Sequence, residues 1–275
     1  MGGIGFILAT LLVMAGVFIR EAVVGEPERY IPLALTLAFA VACGAIGFID
    51  DYCKLIKKQN EGLSAMQKLV LLLAFSSAYL CVMSYTGNLP TAVKIPFTDR
   101  LVELGWWYYL PALLILGGVV NGGNITDGID GLASSITFVI GGFYSVWAFA
   151  VREEQLAMIG AILIGASLGF LVYNFHPARV FMGDTGSLFF GALTIGASFM
   201  MGNPLVGLVA CAVFVLEMLS SLLQFAYFRI THGKRLFKMA PVHHHFEKCG
   251  WSENKVVYVF SFVALLFCVL AWFMI

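Results

Sequence analysis

Stretches of about 17 to 24 mostly apolar residues recur along nearly the whole chain, each the length needed to cross roughly 30 Å of hydrocarbon. They fall near residues 3–19, 31–49, 68–85, 104–120, 131–150, 156–174, 187–202, 205–228 and 256–275, with Pro27, Pro32, Pro90, Pro96, Pro177 and Pro204 at their borders. The expected fold is all-α, a polytopic integral membrane protein of about nine transmembrane helices forming one domain over 1–275, with no soluble domain and no fixed-period repeat. Composition agrees. Sixty percent of the 275 residues are hydrophobic and only 12 percent charged, too little charge to cover a water-facing surface of this size.

Formal net charge is zero and no basic run follows the spacing of a nucleic-acid backbone, so no nucleic-acid partner is expected; the lipid bilayer is. The six cysteines, Cys43, Cys53, Cys81, Cys211, Cys249 and Cys268, are scattered without a CxxC pair, against both a disulfide framework and a zinc knuckle. The first apolar stretch lacks a basic leader and is long enough to stay in the bilayer, so it reads as a span rather than a cleaved signal.

Nine spans sort the connecting loops into two sets. One set (50–67, 121–130, 175–186, 229–254) holds Lys54, Lys57, Lys58, Arg179, Arg229, Lys234, Arg235, Lys238 and Lys248, with Lys68 and Lys255 at its borders. The other (20–30, 86–103, 151–155) holds Arg20, Arg29, Lys94, Arg100 and Arg152. By the positive-inside rule the first set is cytoplasmic. Trp106, Trp107, Tyr108 and Tyr109, beside loop 86–103, read as an interfacial aromatic belt on the outer side.

Five of the six aspartates sit in three short strings: "IDDYCK" (Asp50, Asp51), "NITDGIDG" (Asp127, Asp130) and "FMGDTGS" (Asp184). All three strings, and the run His243-His244-His245, fall in the cytoplasmic set. A single carboxylate at a helix end can simply be solvated. Five on one face beside three histidines point to a site.

Asp50 and Asp51 close the second span with Lys54 one turn later, so two carboxylates and an ammonium share one helix end. Adjacent carboxylates repel unless a cation or proton lies between them. Asn121, Asn124, Asp127 and Asp130 recur every third residue and line one side of the segment if it is helical, with interleaved glycines that let a ligand approach the backbone. "GDTGS" reads as a loop feeding a helix, with Asp184 or Thr185 near an N-terminus whose free N–H groups favour an anion. The plain alternative is a capping aspartate.

Carboxylates without a thiolate or imidazole cage favour a hard cation, and Mg²⁺ typically takes one or two carboxylates plus substrate phosphates. The chemistry suggested is phosphoryl transfer, in which metal and lysine neutralise a diphosphate. Three consecutive histidines aim poorly at one zinc ion, so a phosphate or sugar contact is the stronger reading of that run.

Taken together, "MGGI", "DDYCK", "SAMQKL", "NITDGIDGLA", "YNFHPARVFMGDTGS" and "MAPVHHHFEKCGWSE" resemble, in order and over nearly the whole chain, the phospho-N-acetylmuramoyl-pentapeptide-transferases among the polyprenyl-phosphate N-acetylhexosamine-1-phosphate transferases. The last string is the most specific to the muramoyl branch. The resemblance implies a bacterial inner-membrane enzyme, its active site on the cytoplasmic face, that moves phospho-MurNAc-pentapeptide from UDP-MurNAc-pentapeptide to undecaprenyl phosphate. The products would be lipid I and UMP, with Mg²⁺ as cofactor and a homodimer as the assembly. It also implies roles. Asp184 matches the Mg²⁺ ligand, and Asp50, paired with Asp51, a base for the lipid phosphate. Lys54 and Lys68 match basic residues that meet phosphates. Asn174, Phe181, Asp127 and Asp130 match positions near the uridine, with Phe181 stacking on uracil, and Asn124 belongs to the same string. His243, His244 and His245 match the family's histidine motif on the nucleotide-sugar side. The family begins with one further membrane helix, so nine of its ten spans are expected in the residues given, with their two ends on opposite sides.

Two other readings stay open on the residues. One is a transferase using UDP-N-acetylglucosamine; the other is a secondary transporter, although transporter sites lie near the midplane and often accompany inverted repeats. Glu217, inside the span 205–228, is expected to be a buried interhelix contact together with Gln224, on a helix that borders a lipid groove in the family. "TAVKIPF", 91–97, suggests a short outer hairpin.

Overall fold

A computed structural model describes residues 1–25, 27–57, 62–98 and 100–275. Lys58, counted above among the cytoplasmic cations, lies outside them. The chain runs α1 (Gly3–Val24), α2 (Ile31–Lys57), α3 (Ala65–Tyr85), β1 (Ala92–Lys94), β2 (Leu101–Glu103), α4 (Tyr109–Thr126), α5 (Leu132–Val151) and α6 (Glu154–Asn174). It continues through α7 (Gly183–Met200), α8 (Pro204–Ala210), α9 (Ala212–Ile230), α10 (Val242–Lys248) and α11 (Glu253–Trp272). The two strands form an antiparallel hairpin, Ala92 opposite Glu103. Trp106 and Trp107, on the 3-10 turn that leads into α4, are exposed.

Among the described residues, eight helices are long and apolar enough to cross a membrane. The sequence reading counts nine. The stretch near 187–202 falls in α7, whose opening Gly-Asp-Thr-Gly-Ser dilutes its apolar character, and it is absent from the eight. The stretch near 205–228 is broken at Cys211 into α8 and α9. Large apolar side chains such as Leu12, Phe149 and Val172 face outward, where hydrocarbon rather than water suits them.

α7 is the axis of the fold. Every residue from Thr185 to Phe199 is buried, and α2 and α4 pack along it, with α1, α5, α6 and α8 also in contact. Lipid supplies no hydrophobic drive between helices, so close packing of small residues and hydrogen bonds must hold them together. α7 provides Gly186, Gly191, Ala192, Gly196 and Ala197 for the first. For the second, Tyr144 of α5 donates to the Thr194 carbonyl at 2.7 Å, and the Tyr79 hydroxyl of α3 lies 3.0 Å from Thr36 of α2. The first residues of the chain join the same assembly: Gly2 and Gly3 donate their N–H groups to the carbonyls of Phe181 and Met182, just before α7.

Three helix ends therefore converge at one end of the bundle. α2 continues past the apolar stretch 31–49 to Lys57, carrying Asp50, Asp51 and Lys54 on regular helix. α4 extends to Thr126 and takes in Asn121 and Asn124, with Asp127 as its C-terminal cap and Asp130 in the following turn. α7 starts at Gly183.

Candidate active site

α2 separates its two adjacent carboxylates by the roughly 100° that successive helical residues turn. Asp50 points to the lysines: its Oδ2 lies 2.6 Å from Lys54 Nζ, one turn along the helix, and 3.0 Å from Lys68 Nζ on α3. Its Oδ1 accepts the Leu63 N–H at 2.6 Å, so this wholly buried carboxylate is paired on both oxygens. Asp51 points to α7. It accepts the N–H groups of Asp184 at 3.3 Å and Thr185 at 3.2 Å and the Thr185 hydroxyl at 2.8 Å. The anion expected at this helix N-terminus is thus the carboxylate of Asp51.

Two close approaches make this junction possible. A Cβ on Gly47 would lie 2.1 Å from the Asp184 carbonyl oxygen, so only glycine lets α2 reach the start of α7. Gly183 adopts φ +70°, and a Cβ there would lie 2.4 Å from Asp51 Oδ2.

Asp184 is held from both sides. Its Oδ1 accepts the Asn124 amide at 3.1 Å, and the same amide reaches Ser187 Oγ at 2.8 Å. Its Oδ2 lies 2.5 Å from Lys68 Nζ and 3.5 Å from Lys54 Nζ. Lys68 is aimed by a capping box that starts α3: Ser64 Oγ accepts the Gln67 N–H at 3.2 Å and Gln67 Oε1 accepts the Ser64 N–H at 2.9 Å. Asp50, Asp51 and Asp184 each offer a carboxylate oxygen within 4.8 Å of the others. Three convergent hard oxygens, with no sulfur or imidazole among them, suit a divalent cation of the Mg²⁺ type.

Asp127 lies close enough to feel these carboxylates. Its own carboxyl is pushed well above the usual range, first by burial and then by the charges of Asp184, Asp51 and Asp130. Asp130 accepts the Ala178 N–H at 2.9 Å and meets His176 Nδ1 at 3.1 Å, which in turn lies 3.2 Å from Glu253. Asn174, buried, ties this turn down: its Oδ1 accepts the Gly131 N–H at 3.2 Å while its amide donates to the Val180 carbonyl at 3.0 Å. Phe181 is 64 percent exposed, one residue from Val180, with its ring free to receive a planar partner.

The three histidines diverge. His243 is buried with Nδ1 3.0 Å from Glu217 Oε2, His244 pairs with Glu247 at 2.5 Å, and His245 Nδ1 accepts the Lys238 N–H at 3.1 Å. They do not form one metal-binding set. Among the described residues none touches the Asp50, Asp184 and lysine cluster; His243 instead abuts Gly128, between Asp127 and Ile129. Glu217 is buried as expected, and its partner is the histidine run on α10. Gln224 fixes the segment before that run, accepting the Leu236 and Phe237 N–H groups at 3.0 and 2.9 Å.

Thr185, named from sequence only as a possible helix start, and Ser187 and His176, not singled out there, also take part. The first two lie inside "GDTGS", and Ser187 is one helical turn from Asp184, a spacing that could have flagged it. His176 becomes visible only when the turns around 130 and 176 meet.

Glycosyl transferase family 4 matches residues 33–202, which include Asp50, Asp51, Lys54, Lys68, Asn124, Asp127, Asp130, Asn174, His176, Phe181 and Asp184 but not Glu217 or the run His243-His244-His245. The chain is 43% identical over 271 residues to the phospho-N-acetylmuramoyl-pentapeptide-transferase of Clostridium perfringens strain SM101, covering 98% of this chain and 80% of that one. It is 41% identical over 272 residues to the protein of that name from Clostridium kluyveri strain NBRC 12016, covering 99% and 83%. The one from Clostridium botulinum strain Alaska E43 shares 44% over 232 residues, 84% of this chain and 71% of its own. With similarity running through both the aspartate strings and the histidine run, this chain belongs to the phospho-N-acetylmuramoyl-pentapeptide-transferase family, within glycosyl transferase family 4.

Proposed function

We propose that this protein transfers phospho-MurNAc-pentapeptide from UDP-MurNAc-pentapeptide to undecaprenyl phosphate, giving lipid I and UMP in peptidoglycan biosynthesis. The observation that carries this reading is the shared pairing of Lys54 and Lys68 with Asp50 and Asp184. It sets two cations and two carboxylates at a helix junction, an arrangement suited to gathering phosphates from two substrates.

In this reading Asp184 is the principal ligand of Mg²⁺, with Asp50 and Asp51 beside it, and the bound cation would offset charge on the diphosphate. Asn124 holds Asp184 Oδ1, which leaves Oδ2 directed into the cluster. Lys54 and Lys68 exchange part of their carboxylate pairing for phosphate oxygens when substrates enter. Asp50, freed of one ammonium, receives the proton of the lipid phosphate. Asp127, Asp130, Asn174 and Phe181 form the uridine side, with Phe181 stacking on uracil. The histidines flank the nucleotide sugar beyond Asp127.

The same reading places the site at the cytoplasmic face of a bacterial inner membrane and the protein in a homodimer. The positive-inside distribution of lysine and arginine supports the orientation.

The test is UMP release by the purified chain with undecaprenyl phosphate and Mg²⁺, UDP-MurNAc-pentapeptide being compared with UDP-N-acetylglucosamine. Release with the muramoyl substrate alone is expected. Release with UDP-N-acetylglucosamine alone would move the protein to that branch of the transferases, and release with neither would remove the transferase reading.

A further inference from the structure

Glu217 sits within the membrane-spanning part of α9 with no exposed surface, and its partner His243, on the short α10, has none either. Two such groups in a dry environment need each other: an unpaired carboxylate there would be strongly disfavoured. Their contact, 3.0 Å from Oε2 to Nδ1, fixes the orientation of the imidazole and turns Nε2 in the opposite direction. Nε2 has no hydrogen-bond partner and faces Gly128, where a Cβ would lie only 2.3 Å away. Gly128 follows Asp127 directly and precedes Asp130 by two residues.

α9 grips the α10 segment at two further points on the same stripe. Ser220, one turn beyond Glu217, accepts the Val242 N–H at 2.9 Å, and Gln224 holds Leu236 and Phe237. The backbone contacts at Ser220 and Gln224 fix where the segment lies. Only the Glu217 contact fixes where a side chain points, and that side chain is the one against the Asp127–Asp130 turn.

We propose that Glu217 is a positioning residue for the nucleotide-sugar side of the site, acting from inside the membrane through His243 to brace the turn that presents Asp127 and Asp130. The assignment rests on the functional reading above. Glu217 does not meet the substrates itself; it sets the imidazole that backs the turn. Its loss therefore acts on one substrate and not on the other, because the lysines and carboxylates of the cluster stand on α2, α3 and α7, with Asn124 of α4 behind Asp184, and none of these pairings uses a side chain of α9.

Initial rates of UMP release by the full chain in detergent, with each substrate varied at saturation of the other, test this. Glu217→Leu keeps similar bulk and removes the acceptor. It is expected to raise the KM for UDP-MurNAc-pentapeptide about tenfold, the scale of one lost charged hydrogen bond, and to leave the KM for undecaprenyl phosphate unchanged. Glu217→Gln, which keeps an oxygen for Nδ1–H, is expected within about threefold of the parent. Gly128→Ala presses the same imidazole from the exposed turn and is expected to give the same one-sided KM effect, less than additive with Glu217→Leu. Should Glu217→Leu not fold, Gly128→Ala with Glu217→Gln carries the test.

An unchanged KM for the UDP substrate in Glu217→Leu, or in Gly128→Ala where the first variant does not fold, overturns the assignment. Equal rises for both substrates also overturn it. A parent chain that turns over, with Glu217 indifferent, defeats the positioning role alone; a parent that releases no UMP defeats the functional reading and this assignment with it.

Discussion

Lys68 Nζ approaches Asp184 Oδ2 to 2.5 Å, bringing the first turn of α3 onto the first turn of α7 although 116 residues separate them. The same ammonium lies 3.0 Å from the buried Asp50, so a single cation links the carboxylates of two helices. Such pairing holds the site together and also makes it responsive: a phosphate or a metal ion that enters competes for the same charges.

Lys68→Met removes that link. We expect turnover to fall at least about a hundredfold, the scale seen when one preorganised electrostatic contact is lost, with Lys68→Arg recovering part of it. Steady-state UMP release checks this. A Lys68→Met protein with more than half of the parent rate contradicts the place of Lys68 in the reacting site.

Gly47→Ala tests the helix junction without touching a charge. The new methyl would lie 2.1 Å from the Asp184 carbonyl oxygen, so α2 and α7 must part. Overpacking of this kind costs about 1–3 kcal/mol. A lower melting temperature together with near-complete loss of turnover is expected, and a protein with normal turnover would show that the junction tolerates separation.

Asp127 gives the stability a pH dependence of definite sign. Burial and its carboxylate neighbours raise its folded pKa, so the folded protein holds the proton at a pH where the unfolded chain has released it. Its contribution is full below the ordinary carboxylate range and is lost as pH rises toward the folded value. Asp127→Asn, with no proton to lose, should flatten that decline and raise the melting temperature at neutral pH by about 2–4 °C, the shift about 1 kcal/mol makes in a chain of this size. Thermal melts from pH 4 to pH 8 without substrate or divalent cation decide it; parallel curves for parent and variant contradict the shift.

The spans were legible because hydrocarbon imposes a length and an apolar composition that a sequence shows directly. Boundaries set by polar contacts were not. Hydropathy ends at Asp50; the spacing of Lys54 pointed to one further helical turn, which the structure has, but no residue pattern marked the end of α2 at Lys57. The break at Cys211 carries no proline or glycine at its point to announce it. In the site, the aspartate strings stood out as polar residues gathered at one membrane face. The different partners of Asp50 and Asp51 did not, because they depend on which helices pack on each side. Glu217 and His243 are 26 residues apart, and only the return of α10 against α9 makes them a pair.

Asp184 offers the most direct test of the central claim, that the carboxylate and lysine junction is the metal-assisted transfer site. UMP release by the parent chain and by Asp184→Asn should be followed side by side across a Mg²⁺ titration, with UDP-MurNAc-pentapeptide and undecaprenyl phosphate both present. The account predicts Mg²⁺-dependent turnover in the parent and abolished turnover in the variant at every Mg²⁺ concentration. Near-normal turnover in Asp184→Asn, with an unchanged Mg²⁺ requirement, would contradict it.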